Sequence, residues 1–350
     1  MLAVSVTSGS ALAAPTTGTV PALSITGHGF GAGIGLSQWG AEERAVAGQG
    51  AAQILSFYYP GTTLGAAASR DVRILVADRA QIRIGSGGAF SARDSSGRVV
   101  QLPAGHYDVA TTPSLLALTW PIVLTAGSEP LQVGGVRYLG TITLRRARAG
   151  RFLAVNTLDL EDYIAGVVSS ECPAYWRPAA LQAQAIASRT YALANLRPRA
   201  IFDLYPDDRS QNYRGLTREF ASARAATAAT SGQILLYDGH PADAMFSASN
   251  GGLTSALRSA PYTQTRPDPF DARSPDADWG PVQIGMATLA GAFPAIPQDL
   301  TDVTVLRDAA NRVVSLSFVG ANGAVITLGG RLFQERLGLR STYFSVTLAR

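Results

Sequence analysis

Five glycines at alternate positions, Gly27, Gly29, Gly31, Gly33 and Gly35 in the run GHGFGAGIGLSQWGA (residues 27 to 41), constrain this chain more than any other feature. Such spacing implies backbone conformations that only glycine tolerates, or very close packing. An amphipathic helix is expected to follow over about Ala41 to Tyr58. Its apolar positions are Ala45, Ala52, Leu55 and Tyr59, and Pro60-Gly61 stops it.

With 350 residues, 47% of them hydrophobic, the chain has material for one large domain or two ordinary ones. All 29 basic residues are arginine, a bias that reflects GC-rich coding more than function. The net charge of +4 is modest, and no basic run is interleaved with aromatics, so nucleic-acid binding is not expected. A weak attraction to anionic polymers remains open. Cys172 is the single cysteine, which excludes an internal disulfide. His28, His106 and His240 lie far apart and lack the spacing of zinc hydrolases, so neither a metal nor a cofactor is expected.

The opening residues end in Ala11-Leu12-Ala13, a small-x-small pattern like a signal-peptidase site, so export is expected although no basic residue precedes the apolar stretch. No later stretch reaches the roughly 20 apolar residues that span a bilayer.

From Asp71 to about Val155, short strands are expected at Val72–Val76, Gln81–Ile84, Val99–Leu102, Ile122–Leu124 and Tyr138–Leu144, as a small antiparallel unit. Two helices follow. Asp159 can cap the first, whose face is Leu160, Ile164, Val167 and Val168 and which Pro173 limits. The second starts near Pro178 and buries Ala183, Ile186, Ala187, Thr190 and Ala194 before Pro198. Strands at Gln233–Tyr237 and Ala242–Ser249, a Pro- and Asp-rich loop from Pro261 to Pro281, and strands at Val303–Leu306, Val313–Phe318, Ala324–Leu328 and Phe344–Leu348 complete an α+β pattern with no βαβ repeat.

Several blocks in register carry a family resemblance: NTLDLEDYIAGVVSSECPAYWRPAALQAQAIASRTYAL from Asn156, SQNYRG from Ser210, SASNGGLT from Ser247 and GRLFQERLGLRSTYFSV near the C-terminus. With the glycine block they make the chain resemble the sporulation stage II protein D and LytB group of cell-wall proteins. The resemblance implies a main core over 156–350, a β-rich subdomain over 69–155, and a glycine block with its helix over 15–68 packing on the core after a signal-peptide-like segment 1–14. These parts are expected to form a groove.

The resemblance further implies a lytic transglycosylase that cleaves peptidoglycan between N-acetylmuramic acid and N-acetylglucosamine, with Glu171 as catalytic acid. A second reading, also implied by the family, is a non-catalytic glycan binder that stimulates a partner amidase. A place just past a helix C-terminus beside Cys172, Tyr175 and Trp176 is expected to raise the glutamate's pKa, as a proton donor needs. A purely structural glutamate would instead cap the helix or pair with Arg177. One acid suffices for the transglycosylase route; hydrolysis would need a second carboxylate, for which Asp207 and Asp208 are candidates.

Glu161 and Asp162 sit in a helix's first turn and read as structural. Arg189 either clamps a sugar's carboxyl or acetamido group or pairs internally with Glu161 or Asp162. Ser210, Gln211 and Tyr213 suit hydrogen bonding to, and stacking on, a pyranose, or simply furnish a loop. Asn250, Gly251, Gly252 and Thr254 read as a tight turn, and the family match adds a groove-lining role. Ser37 and Gln38 of the glycine block are the remaining substrate-contact candidates. Ala32 stands where the family has histidine and His28 where it commonly has arginine, which weakens a catalytic role for that loop.

Overall fold

Between Asp71 and Asp159 the aliphatic and β-branched runs form two antiparallel sheets, because their residues alternate between core and solvent. In Thr141–Arg146, Ile142 and Leu144 are fully buried while Thr141 and Thr143 are half-buried. The computed structural model describes residues 21–349, so the segment 1–14 lies outside the described residues. The larger sheet has six strands in the order Asp71–Arg79, Phe152–Asp159, Thr141–Arg146, Ile122–Thr125, Phe90–Arg93 and Val99–Leu102. The smaller has four, in the order Val136–Tyr138, Leu131–Val133, Arg83–Ser86 and Gly105–Asp108. The expected strand Tyr138–Leu144 is thus two strands in different sheets. Gly140 turns the chain between them at φ +74°, where a Cβ would stand 2.1 Å from the Thr157 carbonyl oxygen.

The architecture is α+β. Among the described residues, one compact unit comprises Gly48–Ser56 and Gly61–Met245, and the other residues 21–47, Phe57–Pro60 and 246–349. Strand Phe152–Asp159 runs across residues 155 and 156 and pairs with Asp71–Arg79 along its whole length. The helices after it therefore belong with the β-rich stretch. The C-terminal strands instead join the glycine block.

In the Gly48–Met245 unit, helices Leu160–Glu171, Pro178–Ala194 and Ala221–Ala229 pack on one another, and strand Gln233–Tyr237 lies against the second. Ala183, Ala185 and Ala187 are fully buried, and side chains this small allow the close approach. Ala194, expected on this face, is exposed at the helix end.

In the other unit, strand Pro21–His28 lies between Asp278–Gly285 and Phe344–Leu348, all antiparallel. A second sheet orders Leu300–Arg307, Val313–Gly320 and Val325–Gly329. Phe333 of helix Gly330–Leu337 has the rings of Phe293, Phe318 and Phe344 within 5.8 Å, a core in which each buried ring contributes about 1.5–3 kcal/mol. The expected strand Ala242–Ser249 shortens to Phe246–Ser247, paired in parallel with Leu36–Ser37. Among the described residues no helix is long and apolar enough to cross a membrane.

Both readings of the glycine block hold at once. Gly29, Gly31, Gly33 and Gly35 have φ between +67° and +103°, a region closed to most side chains. Gly27 has no positive φ but packs against Trp279, whose nearest ring carbon would stand 2.1 Å from an added Cβ. The single helix expected over Ala41–Tyr58 is two, Gln38–Val46 and Ala51–Tyr58, because Gly48 takes φ +85° and breaks the run.

These glycines give a paired test. Gly29→Ala must force a Cβ at φ +71° to within 2.8 Å of the Ser249 oxygen and the Gly251 nitrogen, and should cost about 3 kcal/mol in chemical denaturation. Gly48→Ala, with nothing within 4 Å, should cost only about 1 kcal/mol.

Candidate functional site

Glu171 is the last residue of the Leu160–Glu171 helix, inside its C-terminal turn and not just past its end as expected. Asp159 starts that helix by accepting the Glu161 amide at 2.8 Å, and Cys172 leaves it in an extended conformation ahead of Pro173. The Glu171 side chain is half-buried, and its Oε1 accepts the backbone N–H of Asn212 at 2.8 Å. Two motif blocks far apart in sequence, ECPAYW and SQNYRG, are joined by this bond. Cys172 and Trp176 are buried, but Tyr175 is 74% exposed and gives no apolar shelter.

Tyr163, roughly two turns earlier on the helix, is fully buried beneath this site. Burial pushes its hydroxyl well above the usual phenol range, the Gln211 amide opposes the shift, and the nearby Glu171 charge adds to it. Gln211 is 1% exposed, and its Nε2 lies 3.4 Å from the Tyr163 hydroxyl and 3.3 Å from the Ser188 carbonyl. Tyr213 is 4% exposed; it donates its hydroxyl to Asn156 Oδ1 at 3.0 Å and sets its ring 5.1 Å from that of Tyr163. Its ring lies over Gly166, where a Cβ would stand 2.7 Å away. In this structure Gln211 and Tyr213 are therefore buried against Tyr163 and the Leu160–Glu171 helix. Ser210 Oγ accepts the Tyr205 amide at 3.1 Å within its own loop.

Arg189 has no solvent exposure, and of the two arrangements open in the sequence the structure adopts the internal pair. Its fork binds Glu161 through Nε at 2.8 Å and Nη2 at 2.6 Å, and Nη1 donates to the Gln233 carbonyl at 3.1 Å. Glu161 Oε1 also accepts the Gly232 amide at 3.2 Å. The loop carrying SQNYRG is anchored by Asp203, which Arg73 grips at 3.0 and 2.7 Å and to which the Arg197 amide donates at 3.0 Å. Burial raises the Asp203 pKa, but these bonds outweigh it and leave the carboxyl below its ordinary value. Asp207 is held below its ordinary value by Arg209, and Asp208 is exposed.

The remaining sequence candidates gather in the other unit, around two aspartates not singled out among the candidate residues. Asp271 accepts Ser37 Oγ, Ser249 Oγ at 2.8 Å and the Gly252 amide at 3.0 Å. Asp268 accepts the Tyr58 hydroxyl at 2.7 Å, Asn250 Nδ2 at 2.9 Å and Arg44 Nη2 at 2.8 Å. Both aspartates are fully buried. Burial raises the pKa of Asp271 against the pull of its three donors, and the Asp268 charge adds to the rise.

Ser37 also caps helix Gln38–Val46 through the Gly40 amide at 3.0 Å, and Gln38 is 5% exposed. Thr254 is spent on the Gln264 carbonyl and the Arg266 backbone. Asn250, Gly251 and Gly252 form the expected tight turn, with both glycines at positive φ and Asn250 Oδ1 accepting the Gly252 amide at 2.9 Å. Ala32 is exposed, and His28 contacts Asp278 at 2.5 Å. Among the described residues no group of three or more His, Cys, Asp or Glu side chains has metal-holding geometry.

Side-chain reasoning missed Asn212, because it acts through its backbone N–H, as well as Asp268 and Asp271. The sequence signal for the aspartates was the Pro- and Asp-rich run itself, a composition more typical of surface loops.

Residues 148–237 match the SpoIID family model, described as Stage II sporulation protein, and the chain carries a SpoIID domain over that stretch. Glu171, Arg189 and the SQNYRG segment fall inside it. The chain is 28% identical over 226 residues to a Stage II sporulation protein D of Bacillus amyloliquefaciens, covering 55% of this chain and 61% of that protein. It is 31% identical over 144 residues to the protein of that name from Bacillus subtilis (strain 168), covering 35% and 42%. The chain thus spans less than two thirds of either relative. A 41-residue stretch, 12% of this chain and 6% of the relative, is 61% identical to an Amidase enhancer of Bacillus subtilis (strain 168).

Two measurements test the supports of the site. Arg189→Met strands Glu161 and should cost about 3–5 kcal/mol in urea denaturation. Because the Asp203 pKa is lower in the folded state than in the unfolded chain, its contribution is full above the unfolded value and disappears as pH falls through the folded one. Asp203→Asn should therefore flatten the loss of stability that the wild type shows as pH falls below about 4.

Proposed function

We propose that the chain is exported and acts on the glycan strands of peptidoglycan as a lytic transglycosylase, with Glu171 as acid and then base. The observation that carries this reading is the Glu171 carboxyl, half-buried at a helix end and held at Oε1 by the Asn212 amide. The helix C-terminus disfavours the charged form and the Asn212 amide favours it. These opposed effects suit a group that must both give and take a proton.

Glu171 donates its proton to the glycosidic oxygen, and the bond from that oxygen to the muramic acid C1 breaks. The C6 hydroxyl of the same sugar attacks C1, and its proton passes to the Glu171 carboxylate. The products are a 1,6-anhydro-muramic acid end and a free 4-hydroxyl; no water is consumed, so no second carboxylate is required. Strands already stripped of their stem peptides are the simplest substrates for this scheme.

The second reading is a non-catalytic glycan binder that enhances an N-acetylmuramoyl-L-alanine amidase. The exposed Ala32 at the family's histidine position favours it, as does the 61% identity to an Amidase enhancer over 41 residues.

Purified protein incubated with intact and amidase-treated peptidoglycan, with products read by mass spectrometry, separates the two. Anhydro-muropeptides or anhydro-disaccharides released by the wild type and reduced at least about 100-fold in Glu171→Gln support the enzyme. Glycan retained in a pull-down with no product from either protein leaves the binder. Reducing-end products would reject the one-carboxylate mechanism.

A further inference from the structure

Away from Glu171, the Gly48–Met245 unit has a hollow of about 330 Å³ where strand Asp71–Arg79 of the larger sheet gives way to strand Arg83–Ser86 of the smaller. Part of the Pro206–Arg214 loop also lines it. Glu171 is not among its lining residues, but Arg79, Arg83 and Arg214 are, beside the rings of Tyr138 and Tyr213, whose centroids are 5.9 Å apart.

Two of these cations, Arg79 and Arg83, stand here without a matching anion. Asp207, on the same lining, is held bidentately by Arg209 at 2.8 and 2.7 Å, and Asp78, next to Arg79 in the chain, is held by Arg151 at 2.7 Å. Among the described residues, the side chains of Arg79 and Arg83 make no hydrogen bond or ion pair. Arg214 is near enough for its charge to act on both Tyr138 and Asp207.

The unpaired guanidinium forks of Arg79 and Arg83 match the planar geometry of a carboxylate, and the nearly buried rings of Tyr138 and Tyr213 give the hollow an apolar base. Val133 and Val136 extend that apolar base. The volume lies near the lower end for small-molecule sites, which fits one ring-sized group.

We propose that this hollow is an accessory site for a carboxylate-bearing sugar ring, separate from the Glu171 cluster. The identity of the sugar rests on the glycan reading above: muramic acid carries a lactyl carboxylate, and N-acetylglucosamine has the same ring without it. Engagement here would hold a strand by its anionic sugar independently of bond cleavage.

The test is NMR titration of the full chain with N-acetylmuramic acid, N-acetylglucosamine and inorganic phosphate, following the Gly134 and Val136 amides. N-acetylmuramic acid should shift these signals in the wild type. Its affinity should fall at least about 10-fold in the Arg79→Gln/Arg83→Gln variant, and N-acetylglucosamine should bind at least about 10-fold more weakly than N-acetylmuramic acid. Both substituted arginines are exposed, so an unchanged amide spectrum elsewhere verifies the fold. No binding of N-acetylmuramic acid, equal binding of the two sugars, phosphate binding as tightly as N-acetylmuramic acid, or an indifferent double variant would each overturn the proposal. Glu171→Gln should bind N-acetylmuramic acid at this site like the wild type. Absence of anhydro products with these shifts intact would sink the transglycosylase reading alone, and the converse result would sink this one alone.

Discussion

A guanidinium with no solvent exposure holds the SpoIID domain together. Arg189 ties helix Pro178–Ala194 to Glu161 at the start of the neighbouring helix and to the Gln233 carbonyl at the start of a strand, and Glu161 in turn receives the Gly232 amide. An ion pair so enclosed is not a large net source of stability, because desolvation offsets much of its attraction. It is, however, intolerant of any other arrangement: shifting one helix against the other would leave a buried charge without its partner. The far end of the Glu161 helix carries Glu171, so the pairing that fixes one end of the helix also sets the direction in which the other end presents its acid.

The parts of this fold that could be read from the sequence are those decided locally. Asp159 as a helix cap, Pro178 at a first helical position, and strands Val99–Leu102, Gln233–Tyr237 and Phe344–Leu348 follow from capping geometry and alternation, and the structure places them where those rules do. What was illegible depended on pairing across the chain. The strand Phe152–Asp159 has neighbours on both sides, Asp71–Arg79 and Thr141–Arg146, and nothing in its own residues marks the crossing of a boundary. Likewise, the pattern of Ala41–Tyr58 suits one helix, and only the left-handed backbone at Gly48 divides it.

The candidate site was legible in the same uneven way. The family blocks pointed to Glu171 and to SQNYRG, and the structure joins the two, but through the main chain of Asn212, whose side chain carries no such signal. Ser37, Asn250 and Thr254 have the polar side chains expected of a sugar-binding surface, yet each is buried and satisfied from within its unit. Two buried aspartates need donors, and burial without them would be costly. The same residue types serve a ligand or a core, and only their burial tells which.

The route of the chain through its two units bears on how the protein reaches its native state. Strand Pro21–His28 is central in its sheet, and both of its neighbours, Asp278–Gly285 and Phe344–Leu348, come from the far end of the sequence. The glycine block that continues from it likewise leans on Ser247, Ser249 and Gly251. A nascent chain therefore carries this strand without either of its partners throughout synthesis of the intervening helices and sheets. Closing so long a loop is slow relative to local folding, and an open strand edge invites pairing with other chains. The glycine run that continues from the strand, Gly29 to Gly35, offers few side chains to specify a register, so the pairing of this segment is settled only when its C-terminal neighbours are present.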